Sequence, residues 1–226
     1  MITSFLPHRF YRAMQKRYPK VLFHWNPSRP EIALTFDDGP HPRDTPQVLD
    51  MLAKHNIRAT FFLVGHSVEL HPTLVKQIHQ SGHQLALHCY RHIPFSMLNA
   101  STLKGQLNQS RTAITDACGI PPESIRDVRP PYGFFTAKIV SLLNEWGYRL
   151  TLWDNMPLHF IQPASWTIKQ ITGRTFPGSI IVLHDGHGHG KKVAQIVDVV
   201  VPQLKGRGFE FVTIEQMHKS ITGESK

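Results

Sequence analysis

The chain has 226 residues and a mass of 25.8 kDa, the size of one domain or of a domain with an appendage. Hydrophobic residues make up 41% and charged residues 18%, which supplies a core and excludes a disordered or collagen-like chain. Two cysteines, Cys89 and Cys118, with no CxxC pair, exclude a disulfide framework and a cysteine-based zinc site. No apolar run approaches the roughly 20 residues of a membrane-spanning helix.

Lys plus Arg is 25 and Asp plus Glu is 16, a formal charge of +9 and a pI near 9.8. The excess is uneven. Residues 1–30 hold Arg9, Arg12, Lys16, Arg17, Lys20 and Arg29 and no acid. Such a segment favours anionic partners. Because the charge is terminal rather than interleaved with aromatic residues, no specific nucleic-acid partner is expected. Leu6, Phe10, Ala13, Met14 and Tyr18 recur at helical spacing, which predicts an amphipathic helix over 5–18. Its apolar face is read as packing on the main domain. The alternative is peripheral contact with an anionic membrane or cell-wall polymer. The basic segment 1–30 is divided from a catalytic domain over 31–226.

A regular alternation follows. Residues 31–36 form a strand stopped by Asp-Asp-Gly-Pro, and Thr45 opens a helix to about 55 with Pro46 at its first position. The apolar run 59–64 is a buried strand, 72–81 a helix closed by Gly82, and 84–87 a third strand. A helix over 101–117 precedes a fourth strand, 127–129, stopped by Pro130-Pro131. A helix over 136–146, ended by Gly147, leads to a fifth strand, 148–153. A short helix over 165–172, a sixth strand over 179–183, a helix over 191–204 and a seventh strand over 209–212 complete the series. Short apolar strands alternating with helices call for α/β architecture with a parallel sheet. An open doubly wound sheet and a closed barrel both fit, and no GxGxxG or GxxxxGK[ST] follows the first strand. The tetrapeptide His187-Gly188-His189-Gly190 is the only biased one.

The unusual polar residues follow strand ends: Asp37 and Asp38, His88 and His92, Arg129 and Tyr132, Asp154, then His184 and Asp185. In parallel α/β folds the loops converge at that edge. Two histidines four apart plus a carboxylate form a common catalytic metal set, because positions stay open for water and substrate. Asp37 or Asp38 can supply the carboxylate. The other can take a proton from metal-bound water, with Arg129 holding it ionised. His184 can act as a general acid.

These segments resemble the polysaccharide deacetylases, carbohydrate esterases that remove N-acetyl groups from chitin and peptidoglycan. Thr35-Phe36-Asp37-Asp38-Gly39-Pro40 resembles the first motif, TFDDGP, and the His88/His92 pair the second. Arg129-Pro130-Pro131-Tyr132-Gly133 resembles the third, RPPYG, and Ile181-Val182-Leu183-His184 the fifth, LxxH with Ile for Leu. The resemblance spans about residues 31–216. It implies a distorted (β/α)7 barrel with the site at the C-terminal edge of the strands. It also implies a metal-dependent hydrolase acting on an N-acetylated carbohydrate. Asp37 would be the base, Arg129 its partner, and Asp38, His88 and His92 the ligands of one divalent ion: zinc, with cobalt or nickel as alternatives. The backbone N–H of Tyr132 would bind the oxyanion, His184 would protonate the leaving amine, and Pro131, Tyr132, Trp153 and Phe160 would contact the sugar.

The chain departs from the family in three places. Cys89 stands where the family has Ser or Thr. In the fourth motif, DxxDW in the family, His159 and Phe160 stand in place of Asp-Trp. The carboxylate that tunes the acid histidine is then expected from Asp154 or Asp185. Third, Arg9, Arg12, Lys16 and Arg17 interrupt any signal-peptide apolar region, so the expected location is cytoplasmic, although the family is mostly exported. Competing readings are hydrolysis of another C–N bond, by a deformylase or imidase-like enzyme, and a carbohydrate-binding relative without turnover.

Overall fold

The computed structural model describes residues 8–25, 29–186 and 188–222. Residues 5–7 of the expected first helix, and His187, lie outside them. Helix α1 (His8–Arg17) leads into a short strand, β1 (Val21–Leu22). Seven further strands follow: β2 (Glu31–Asp37), β3 (Thr60–Leu63), β4 (Gln84–Leu87), β5 (Asp127–Val128), β6 (Arg149–Thr151), β7 (Ile180–His184) and β8 (Glu210–Phe211). Between them run α2 (Asp44–Lys54), α3 (Gly65–Leu70), α4 (Pro72–Gln80), α5 (Ala100–Cys118), α6 (Ala137–Glu145), α7 (Ala164–Arg174) and α8 (Gly190–Gly206), and α9 (Ile214–Thr222) closes the series. All seven expected strands and all seven expected helices are present. Helix α2 starts at Asp44, two residues before the expected first position, which puts Pro46 third.

Every pairing is parallel, in the order β1-β6-β5-β4-β3-β2-β7, with β8 paired to the first residues of β2. β2 is buried at every position, as a strand covered on both faces must be. The ring closes irregularly. After β6 the chain leaves β1 and crosses to β7, where Asn155 bridges Ile181 and the Val182 N–H donates to the Asn155 carbonyl at 2.9 Å. The result is a distorted (β/α) barrel, which decides between the two sheet forms left open by the alternation.

Local sequence fixes the helix ends. Asn99 caps α5 by accepting from the Thr102 N–H at 2.8 Å, and Gly119 ends it at φ 67°. Thr136 caps α6 the same way. At the N-terminal end of the strands, buried Asp127 accepts from Gln84 at 2.7 Å and from Arg149 at 2.6 Å. The Glu215 N–H donates to Gln84 at 2.7 Å, which ties α9 to that end of the barrel. The opposite ends of the strands all open on one rim.

α1 docks on the barrel through Tyr11, which is 2% exposed, and through Tyr18, whose ring meets Phe135 edge-on at 5.1 Å. Gln15 bonds both the Val21 carbonyl at 2.8 Å and the Phe23 N–H at 3.1 Å. The sheet therefore reaches back across residue 30, because β1 is part of it. Packing on the main domain is the use the structure makes of this apolar face.

Candidate metal centre and catalytic site

Asp37 ends β2 and is buried against Arg129, whose Nη1 donates to Oδ1 at 2.6 Å. Arg129 is fully buried. It also donates to Thr35 Oγ1 at 2.8 Å, the Leu152 carbonyl at 3.0 Å and the Thr151 carbonyl at 3.3 Å. Its guanidinium lies 3.8 Å over the Phe62 ring. A planar fork with fixed donors suits this work, and it gives the buried Asp37 carboxylate a partner of opposite charge.

Asp38, one residue on, turns away at φ 74°. Its Oδ1 lies 3.3 Å from His88 Nε2 and 3.0 Å from His92 Nε2. One ligand atom from each of the three residues falls within 4.8 Å of the others. His88 Nδ1 donates to the Arg129 carbonyl at 2.8 Å, since a carbonyl can only accept, and that leaves Nε2 with its lone pair toward Asp38. Burial disfavours a charged His88, yet Asp37 and Asp38 outweigh it and hold its pKa above the ordinary value. A site that draws positive charge onto a buried imidazole, with one carboxylate and two imidazole donors converging, fits a divalent cation.

Five non-glycine residues among those described have positive φ, and four are here: Asp38, Cys89, His92 and Tyr132. Such backbone costs about 1–3 kcal/mol per residue and collects where side chains must be aimed. The tight packing around the loops enforces it. A Cβ on Gly39 would lie 2.6 Å from both Asp185 oxygens, and one on Gly133 would lie 2.5 Å from the Trp153 ring. Cys89 is buried, and its Sγ donates to Gln106 Oε1 at 3.6 Å, the atom that also accepts from the Arg91 N–H. Burial raises its pKa, so the thiol stays protonated and is a loop support.

His184 ends β7, in register with Asp37. Burial lowers its pKa, Asp37 and Asp38 pull it upward, and the net direction is down. Neither expected carboxylate reaches it. Asp154 sits at the start of β7, accepting from the Ile180 N–H at 2.6 Å and from Ser179 Oγ at 3.0 Å. The crossing after β6 carries it there, about 13 Å of strand from His184. Asp185 turns to Thr45, whose hydroxyl donates at 2.5 Å, and braces Gly39. Burial pushes both carboxyls up to about 7.

The neighbour of His184 is His159, with ring centroids 5.1 Å apart and nearly parallel. His159 Nε2 accepts from the His184 N–H at 3.2 Å, so the ring proton is on Nδ1, facing the Pro157 carbonyl at 3.2 Å. Both nitrogens are committed to one neutral tautomer, and burial drives the pKa of His159 to about 3. Phe160 meets both rings edge-on. Tyr132 is exposed and packs on His92 at 4.9 Å, while Pro131 is buried beneath it. Trp153 is 5% exposed and lies under Gly133, near Arg129. It props the third-motif turn and does not present a face to a sugar.

The polysaccharide deacetylase family model matches residues 24–151. The chain belongs to the polysaccharide deacetylase family. A peptidoglycan-N-acetylglucosamine deacetylase of Bacillus cereus is 33% identical over 195 residues, covering 85% of this chain and 70% of the relative. A chitooligosaccharide deacetylase of Bradyrhizobium is 30% identical over 199 residues, covering 83% of this chain and 90% of the relative. A crystal structure of a peptidoglycan N-acetylglucosamine deacetylase in complex with a naphthyl-substituted N-hydroxybenzamide has a TM-score of 0.85 at 30% identity. It covers 94% of this chain and 97% of that one.

Proposed function

We propose that this polysaccharide deacetylase is a metal-dependent hydrolase that removes acetyl groups from N-acetylglucosamine units of peptidoglycan or chitooligosaccharide. The observation that carries the reading is the division of labour between two adjacent aspartates, Asp37 on Arg129 and Asp38 on His88 and His92. Asp38, His88 and His92 would hold the ion, and zinc suits two imidazoles and a carboxylate. When bound there, such an ion supplies Lewis acidity, lowering the pKa of water and polarising the acyl oxygen.

Asp37 takes the proton from the attacking water, and Arg129 holds the carboxylate in place. The Tyr132 backbone N–H is assigned to the oxygen where charge develops. His184, on the neighbouring strand end, passes a proton to the departing amine, which leaves poorly without one. The exposed Tyr132 ring and Phe160 are the surfaces for the sugar. The test is acetate release from chitooligosaccharides and peptidoglycan, with chelator and then with added Zn²⁺, Co²⁺ or Ni²⁺. Acetate release that chelator abolishes and zinc restores is the expected result. Formate release from N-formyl sugars without acetate release from N-acetyl sugars would instead assign the site to another C–N bond.

A further inference from the structure

We infer that Trp166 is a stacking platform for a sugar ring beyond the one that loses its acetyl group, so that the enzyme selects a longer glycan over a short one. The inference rests on the function proposed above. Seven large hydrophobic side chains stand exposed among the described residues, and five of them, Met97, Tyr132, Phe134, Ile161 and Trp166, lie on the segments that follow β4, β5 and β6. Those segments leave the strand ends that open on the catalytic rim. Single exposed apolar residues are ordinary on a protein surface, but their concentration around one site is not. Trp166 has the largest ring of the five and is 69% exposed.

The path of the chain places this ring. After His159, which stacks on His184, the Ile161 and Gln162 N–H groups both donate to the Leu158 carbonyl, at 3.0 and 2.9 Å, and fold the chain into a tight turn. α7 then descends from the rim, because Asn155, level with Ile181 in β7, donates to the Ile171 carbonyl at 3.3 Å. Trp166 is the third residue of α7, in the turn nearest the rim. Helical side chains lean toward the N-terminal end, so this one leans toward the rim and not down the barrel wall. The Trp166 N–H donates to the Pro163 carbonyl at 3.1 Å, which keeps those two Cα atoms within about 7 Å, and Phe160 to Pro163 spans at most about 11 Å. The platform is therefore a few sugar units from Phe160, whose ring meets His184 edge-on. On the helix surface its neighbours one turn on are Lys169 and Gln170. A flat apolar ring with hydrogen-bonding groups beside it suits a pyranose, which has an apolar C–H face and a hydroxyl-bearing edge. Continuity with Phe160 and Tyr132, the surfaces already assigned to the sugar, makes the same glycan the occupant.

The test is acetate release by the zinc-loaded full chain from chitooligosaccharides graded in length from dimer to hexamer, compared with Trp166→Ala and Trp166→Tyr. Wild type should show a higher kcat/KM on the hexamer than on the dimer. Trp166→Ala should raise KM for the hexamer roughly tenfold with kcat unchanged, since a contact made equally in the ground and transition states acts on KM alone. Its turnover of the dimer and its melting temperature should match wild type, and Trp166→Tyr should recover most of the loss. Equal losses on hexamer and dimer, or no loss on either, would overturn the inference and leave the proposed function standing. If no oligomer released acetate, the proposed function would fall, and calorimetric titration with the hexamer would decide the platform. Weaker binding to Trp166→Ala would then support it, and unchanged binding would overturn it. A wild type that sediments as a dimer beside a monomeric Trp166→Ala protein would also overturn it, because a second copy of the chain would then cover the ring.

Discussion

Asp37 and Asp38 are neighbours in sequence, yet their side chains face different partners, and each role has its own experiment. Asp37→Asn should keep the metal, because the three converging donors are untouched. Its turnover should fall roughly 10²–10⁴-fold, the usual worth of a general base. His92→Ala removes a donor that is partly exposed and outside the core, so metal content should fall while the melting temperature holds. Full metal occupancy in that variant would remove His92 from the ligand set. These residues were legible in the sequence because they sit in contiguous motifs at strand ends. The tuning of His184 was not, because the path of the chain after β6 decides it. That path sends Asp154 to the far end of β7 and puts His159 on the acid's ring. Replacing that neutral imidazole by a carboxylate favours the charged form of His184 and raises its pKa. The protonated acid then persists to higher pH, so His159→Asp should move the alkaline limb of the pH–rate profile upward. An active variant with an unmoved limb would show that His159 does not govern the acid.

Among the elements, those long enough to show a period were readable, and those made by tertiary contact were not. β1 is two residues long and exists because it pairs with β6, and α3 is six residues wedged between β3 and α4. α9 follows the last expected strand and depends on the Asp127–Gln84–Arg149 network beneath the barrel. Neither propensity nor alternation announces such pieces. The crossing from β6 to β7 belongs with them, and it carries a pH dependence. Burial raises Asp154 from near 4 to about 7. Below pH ~4 both folded and unfolded chains hold this proton, and its contribution to stability is complete. Between pH ~4 and ~7 only the folded chain holds it, so stability falls as pH rises, by about 4 kcal/mol in all. Asn keeps an acceptor for the Ile180 N–H, can donate to Ser179 Oγ, and cannot ionise. Asp154→Asn should therefore gain melting temperature relative to wild type as pH rises from 5 to 8. A difference that stays constant over that range would mean that Asp154 titrates normally.

At the scale of the molecule, charge pattern and fold divide the chain differently. The basic run ends near residue 30, and from charge alone a chain starting there should keep the whole barrel. The sheet, however, extends into that run. Val21, Leu22 and Phe23 are buried, Tyr11 is buried above them, and Gln15 pins both ends of the connection. Each buried apolar side chain of this size contributes about 1.5–3 kcal/mol. Losing four removes a sum comparable to the total stability of a domain, about 5–15 kcal/mol. Starting the chain at Pro30 should thus uncover the outer edge of β6 and leave a protein that melts at much lower temperature or aggregates. A chain starting at Lys20 keeps β1 and Phe23 while losing Tyr11 and Gln15, and it should melt between the two. Catalysis should follow folding and not charge. At a temperature where the Lys20 form is fully folded, its turnover on a soluble chitooligosaccharide should match the full chain, because no strand-end residue of the site lies before Asp37. Equal melting temperatures for the full chain and the Pro30 form would show that β1 is an ornament on the sheet. A folded Lys20 form without turnover would show that α1 shapes the pocket from outside the rim.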